Sequence, residues 1–230
     1  SITITGNRAI KDYAFMPIIP LDKIVSVEKK IKEALFKIED EDFKGSYHTY
    51  IDIEEDQLKQ WIEDGTVFPP AIDKNLKAAE TFRFWSKCRG VFINDKNNYR
   101  VWVNEQEQLQ IIVYEDGGNL KEAYARLFKV LSYLSELQFE RHPRWGFLAH
   151  NLKNIGTTMR IVAKAKLPKL SLEENASKLD TLSDAASIVA ERIDDRGNYD
   201  LYNCQKVGMT EITLLKGFNK GIKDFITAEK

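Results

Sequence analysis

Apolar residues recur at three- and four-residue steps in several stretches of the chain, the spacing of one helix face. Ile24, Val27, Ile31, Leu35 and Ile38 form the first such stripe, with Asp22 placed to cap its N-terminus. Asp56 to Ile62 predicts a shorter helix, ended by Gly65 and Pro69-Pro70, and Asp73 to Trp85 predicts another on pattern. Leu120, Ala123, Tyr124, Leu127, Leu131 and Leu134 mark a long amphipathic helix, and Ile212, Leu215, Phe218, Ile222 and Phe225 a final one. Between these lies sequence rich in β-branched and aromatic residues. Tyr99 to Val103 and Leu109 to Tyr114, separated by a short polar stretch, predict an antiparallel hairpin. Ser1 to Thr5, Phe147 to Ala149 and Met159 to Ala165 read as further strands, Pro168 closing the last. Ser171-Leu-Glu-Glu174 predicts a helix start of the capping-box kind. Locally paired strands with helices grouped around them give an α+β fold.

Composition narrows the classes. The 230 residues are 43% hydrophobic and 30% charged, the make-up of a globular domain. A formal charge of −1, from 34 basic and 35 acidic side chains intermixed along the chain, gives no footprint for nucleic acid or an anionic membrane. Cys88 and Cys204 are too few for a disulfide framework and are expected reduced. No run of about 18 apolar residues is present and the start resembles a strand rather than a signal peptide, so an intracellular location is expected.

Generic chemical motifs are poor. Gly117-Gly118-Asn-Leu-Lys121 lacks the full phosphate-loop pattern and reads better as a strand-to-helix turn. His48, His142 and His150 have no metal-ligand spacing, and no metal is expected. The acidic runs 39–42 and 54–56 fit solvated turns and helix starts.

A longer series says more. Phe84-Trp85, Arg89-Gly90-Val-Phe, Asn94-Asp95, Val101-Trp-Val-Asn-Glu105, Gly117-Gly118-Asn-Leu-Lys121 and Trp145-Gly-Phe-Leu148 occur in order. Asn154-Ile-Gly-Thr-Thr-Met-Arg160, Leu167-Pro-Lys-Leu170, Tyr199-Asp200 and Val207-Gly-Met-Thr-Glu211 follow. This series resembles the catalytic domain of the ATP:guanidino phosphotransferases, the phosphagen kinases that include arginine and creatine kinases. The resemblance covers residues 1–230 as one catalytic domain, without the family's small helical N-terminal domain. It implies a curved antiparallel sheet flanked by helices, as in glutamine synthetase, with MgATP in the concavity and γ-phosphoryl transfer to a guanidinium nitrogen. Such transfer relies on positioning and charge neutralisation: arginine forks hold phosphate oxygens, and carboxylates orient the guanidinium and help remove its proton.

The departures from the family pattern fall on those groups. Thr3 and Thr5 stand where the resemblance implies two phosphate-binding arginines, and Gln110 where it implies a third. Gln106 replaces a substrate-orienting carboxylate, Asn151 a reactive cysteine, and Gly65 a histidine that packs on adenine. The family's mobile loop corresponds to a shortened Val189–Asn198, in which no second catalytic glutamate can be matched. Arg160 matches a phosphate-binding arginine, and Arg89 is retained as a nucleotide-site relic or a structural ion-pair partner. The expectation is a catalytically inactive phosphagen-kinase-like domain, a pseudoenzyme serving as a structural or protein-interaction module. It would need no cofactor, would meet a protein partner or adjacent domain, and would sit in the cytoplasm or in a cytoskeletal or organellar assembly. Arg160 would be a buried strand arginine paired with an acid, and Gln106, Gln108, Gln110 and Asn151 would line a neutral cleft. The alternatives are a divergent transferase or a nucleotide sensor, either of which takes MgATP. A divergent transferase would need Arg160, Arg89, Lys153 or Arg192 as a new phosphate clamp and Glu105 or Glu107 as its carboxylate.

Overall fold

The computed structural model describes residues 1–16, 18–68, 78 and 84–230. Eight strands form one antiparallel sheet: Ile2–Arg8 (β1), Gly45–Thr49 (β2), Gly90–Asn94 (β3), Tyr99–Val103 (β4), Leu109–Glu115 (β5), Met159–Lys166 (β8), Ile188–Arg192 (β9) and Asn198–Asn203 (β10). Their order across the sheet is β2-β3-β4-β5-β1-β8-β10-β9. A separate two-residue pair, Arg141–His142 (β6) with Gly146–Phe147 (β7), stands apart from it. The α-helices whose bounds fall in the described residues are Leu21–Phe36 (α1), Glu55–Glu63 (α2), Leu120–Tyr133 (α3), Ala176–Ala186 (α4) and Glu211–Glu229 (α5). The α+β class expected from the pattern is the class observed.

Strand alternation divides the sheet into two unlike faces. Ile2 and Ile4 of β1, Val101 of β4, Ile111 and Val113 of β5, Ile161 of β8 and Leu201 of β10 point to one side. There they join Val27 and Ile31 of α1, Leu127 of α3 and Phe218 and Phe225 of α5 in a single buried cluster. Gly6 lets α3 approach closely, since a Cβ there would stand 3.1 Å from a Leu127 methyl. The intervening residues Thr3, Thr5, Arg100, Gln110, Arg160 and Tyr202 are half-buried or exposed on the other face. A small second cluster of Tyr50, Val67 and Val91, with Trp61 and Trp102 against it, covers that face at the β2–β4 end. The remainder of the polar face is bounded by loops.

Several local expectations are corrected. Asp22 does not cap α1: Pro20 is the N-cap and Asp22 lies in the first turn without a capping bond, where its charge still faces the positive end of the helix dipole. The Ser171 hydroxyl donates to the Pro168 carbonyl at 2.8 Å, so it is spent on the preceding turn, and α4 begins later, after a 3-10 turn at Glu173–Asn175. The strand expected at Phe147 to Ala149 shortens to β7, Gly146–Phe147, and its pairing with β6 is carried one residue further by the Leu148 amide on the Glu140 carbonyl at 3.0 Å. Gly117-Gly118 is the strand-to-helix turn read from the sequence, with Asn119 accepting from the Glu122 amide at the head of α3. The helix expected over Asp73 to Trp85 lies, apart from Ala78, Phe84 and Trp85, outside the described residues.

Candidate functional site

A cleft of about 490 Å³ opens on the polar face of the sheet. Its floor is Thr5 and Asn7 of β1, Gln110 of β5, Arg160 of β8 and Tyr202 and Asn203 of β10. Register brings these together: Thr5 lies opposite Arg160, and Asn7 opposite Gln110. Its rim is Gln106 from the β4–β5 loop, Asn151, Lys153 and Asn154 from the turn before β8, and Cys204 and Lys206 after β10. Thus Thr5, Gln106, Gln110, Asn151 and Arg160, named from the sequence as altered or retained site positions, meet around one cavity. Lys206, Asn7 and Tyr202 were missed, because only the β1–β8–β10 pairing delivers them there.

The rim is built on Glu107. This carboxylate is buried and accepts from the His150 amide at 2.8 Å, the Asn151 amide at 3.1 Å and the Asn154 side-chain amide at 3.0 Å. Asn151 in turn accepts from the Lys153 amide at 3.0 Å, closing a 3-10 turn over 152–154. The Lys206 ammonium donates to the Lys153 carbonyl at 2.8 Å and to Asn154 Oδ1 at 3.2 Å. Gly156 makes the juncture possible: its φ is +108°, and a Cβ would stand 2.3 Å from the Lys206 carbonyl oxygen. Burial lowers the Lys206 pKa, and the like charge of Arg160 lowers it further, with Glu107 pulling the other way.

Arg160 is neither buried nor paired with an acid. Alternation turns it to the cleft side, away from its buried neighbours Met159 and Ile161, and its guanidinium carbon lies over the Tyr202 ring, 4.2 Å from the centroid. Among the described residues it forms no ion pair. The cleft is therefore cationic rather than neutral, lined among the described residues by Lys153, Arg160 and Lys206 and by no Asp or Glu. Gln108 does not line it: it is buried, accepting from the Ile10 amide at 2.7 Å and donating to the Ala14 carbonyl at 2.9 Å.

The other candidates lie elsewhere. Thr3 shares Thr5's face but faces Tyr114 and Val162 across the strands, outside the cleft lining. Gly65, at φ +74°, follows the C-terminus of α2 and is not part of the lining. Val189–Asn198, the shortened counterpart of the mobile loop, forms most of an antiparallel hairpin, β9 turning into β10, with Glu191 opposite Asp200. Arg192 there pairs with Asp195 at 3.4 Å. Arg89 is 1% exposed, donates to the Asn104 carbonyl and stands 3.4 Å from Glu105 Oε2, so it serves the core and not the cleft. Among the described residues no group of three or more His, Cys, Asp or Glu side chains is arranged to hold a metal ion.

Glu105 is fully buried, and Oε1 lacks a partner among the described residues. Burial pushes its pKa up from 4.5 to about 7, against the pull of Arg89. With the folded value above the unfolded one, the native state holds the extra proton between these limits, and stability falls as pH rises through that window. Measured by denaturant unfolding, the stability of the wild type relative to Glu105→Gln should drop by about 2–3 kcal/mol between pH 4.5 and pH 8. A flat difference would contradict this origin.

The ATP:guanido phosphotransferase C-terminal catalytic domain profile matches residues 26–230. The chain belongs to this family. A probable arginine kinase of Caenorhabditis elegans is 35% identical over all of this chain and 65% of its own length. The arginine kinase of Limulus polyphemus is 33% identical, with the same coverage. The chain thus spans 65% of the length of these family members. The substrate-free duplicated taurocyamine kinase of Schistosoma mansoni superposes with a TM-score of 0.91 at 28% identity, over 99% of this chain and 31% of that one. A lombricine kinase shares the fold, with a TM-score of 0.90 at 22% identity, over 99% of this chain and 65% of that one. Among the described residues no helix is long and apolar enough to cross a membrane.

Proposed function

We propose that this chain is a phosphagen-kinase catalytic fold that no longer transfers phosphoryl groups and acts as a binding or structural module within a larger assembly or polypeptide. The supporting observation is that, among the described residues, no carboxylate lines the cleft. A guanidinium keeps its proton above pH 12, so making it a nucleophile requires an acceptor in contact. Gln106 offers only an amide, and the nearby carboxylates are engaged: Glu105 faces Arg89 in the core, and all three donors on Glu107 belong to the rim. Loss of a positioned acid–base group alone lowers rate by about 10²–10⁴. The cations on the wall also repel a guanidinium.

A coupled assay for ADP release, run with MgATP and arginine, taurocyamine or lombricine in turn, tests this. The expected result is no turnover above background; sustained, enzyme-dependent turnover on any of them would overturn it. A second reading, a nucleotide-binding domain that has stopped short of transfer, is favoured by Arg160, Lys153 and Lys206 around one cleft. MgATP would be its ligand, and adding it should raise the unfolding midpoint, by about 2.7 kcal/mol of stability at 100 times the dissociation constant. A partner protein or neighbouring domain would be the ligand of the first reading.

A further inference from the structure

We infer that a second pocket, at the β6–β7 hairpin, is a docking surface for an acidic peptide segment of a partner protein, with Trp145 packing on a large apolar side chain and Arg141 and Arg144 receiving the flanking carboxylates. The inference rests on reading the chain as a binding module and names the chemistry of its partner. This pocket, of about 560 Å³, shares no lining residue with the cleft of Thr5 and Arg160; it lies between the hairpin, the Gly156-Thr157 segment and residues 208–211 at the head of α5. Its apolar lining includes Trp145, Phe147 and Met209. Arg141 and Arg144 line it too, are exposed, and form no ion pair among the described residues. The acid among the described lining residues, Glu211, is turned inward, 3.4 Å from Arg8 and accepting from the Tyr124 hydroxyl at 3.1 Å. The charge left facing outward is therefore positive.

The hairpin is built in advance of any partner. Across its turn the Arg144 amide donates to His142 Nδ1 at 3.2 Å, and the His142 ring stacks on Trp145 with centroids 4.7 Å apart. That contact holds the indole while leaving it 50% exposed. The Arg141 guanidinium carbon lies 5.6 Å from the centroid of the Phe147 ring, which Arg8 also approaches at 3.8 Å. Phe147 and Gly156 exchange backbone hydrogen bonds of 2.9 and 3.0 Å, which fasten the hairpin to the segment leading into β8. Groups held in this way lose little freedom on binding. Exposed tryptophan and arginine side by side are the residues enriched where proteins meet proteins. A guanidinium fork matches the two oxygens of a carboxylate. Val207 and Ile212, on either side of residues 208–211, are exposed as well, so apolar surface continues past the pocket. A nucleic-acid backbone would call for a longer cationic stripe, whereas the charges of this chain are intermixed.

Fluorescence anisotropy reads the surface directly, with a fluorescein-labelled pentapeptide, two glutamates on each side of a central phenylalanine, titrated with the full chain in low-salt buffer. A dissociation constant of about 0.1 mM or tighter is expected. Alanine in place of the phenylalanine should weaken binding by about tenfold, and lysines in place of the glutamates should abolish it. Trp145→Ala should cost about tenfold, and the double variant Arg141→Gln/Arg144→Gln about tenfold or more. Arg144→Glu, altered only at the exposed turn, serves if the double variant unfolds and should weaken binding at least as much. Lys29→Gln, on the exposed side of α1, should leave it unchanged. No saturable binding below about 2 mM, or undiminished affinity in the Trp145 and arginine variants, would overturn the inference. Tighter binding of a labelled single-stranded uridine decamer would also overturn it, as would a concentration-dependent dimer that excludes the peptide, which would make a second copy the occupant. Turnover in the coupled assay would sink the non-transferring reading alone, and failure of the peptide to bind, without turnover, this surface alone.

Discussion

Replacing Glu107 by alanine is expected to lower the unfolding free energy by about 3–5 kcal/mol, because a buried carboxylate that accepts three hydrogen bonds is removed. Three N–H donors, from His150, Asn151 and the Asn154 side chain, lose their acceptor at once. Each hydrogen bond to a charged group contributes about 1.5–3 kcal/mol, and buried donors without a partner carry their own desolvation penalty. The energies are not additive, because the three donors sit on one short turn and relax together. Glu107→Gln keeps the volume and one acceptor but turns an NH₂ group toward N–H donors, and should fall about midway. Urea unfolding checks both. A loss under about 1 kcal/mol for the alanine variant would mean that the 150–154 turn does not hang on this carboxylate.

Arg8→Ala is the second large effect, at about 3–5 kcal/mol. Arg8 is 3% exposed, and its guanidinium lies 3.8 Å from the centroid of Phe147. One arm donates to the Asn7 carbonyl at 2.8 Å and to the Thr158 hydroxyl, and the other stands 3.4 Å from Glu211, which also accepts from Tyr124 at 3.1 Å. A single side chain thereby ties β1, the segment leading into β8, β7 and the first turn of α5. Burial lowers its pKa to about 10, so it stays charged at neutral pH and its loss strands Glu211 beside Tyr124. Arg8→Lys should recover less than half of the stability, since an ammonium cannot span both arms of the fork. Equal stability of the alanine variant and the wild type in guanidinium unfolding would refute the clamp.

Legibility in the sequence followed the range of the interactions. α1, α3 and α5 are amphipathic over several turns, and their apolar stripes show because each buries against one surface. The β4–β5 hairpin is equally local. The position of β1 between β5 and β8 is set by partners more than a hundred residues away, and nothing in Ser1 to Thr5 encodes it. β9 and β10 carry too few apolar residues to announce themselves, so their hairpin looked like a loop. At the site, motif correspondence brought out Thr5, Gln106, Gln110, Asn151 and Arg160, which do share a cavity. For Arg89 it left two readings open, and the buried pairing with Glu105 bears out the structural one. It also gave the wrong charge to the cleft, because Lys206 enters by a route through space.

The juncture at Gly156 joins the two sides of that cavity. With the Thr157 amide on the Lys206 carbonyl at 3.0 Å and the Lys206 ammonium on the Lys153 carbonyl, the two lysine-bearing segments form one tied unit. On the binding reading proposed above, a ligand meets groups that are already assembled. Capture is then governed by diffusion and long-range attraction, so added salt should act on the rate of arrival.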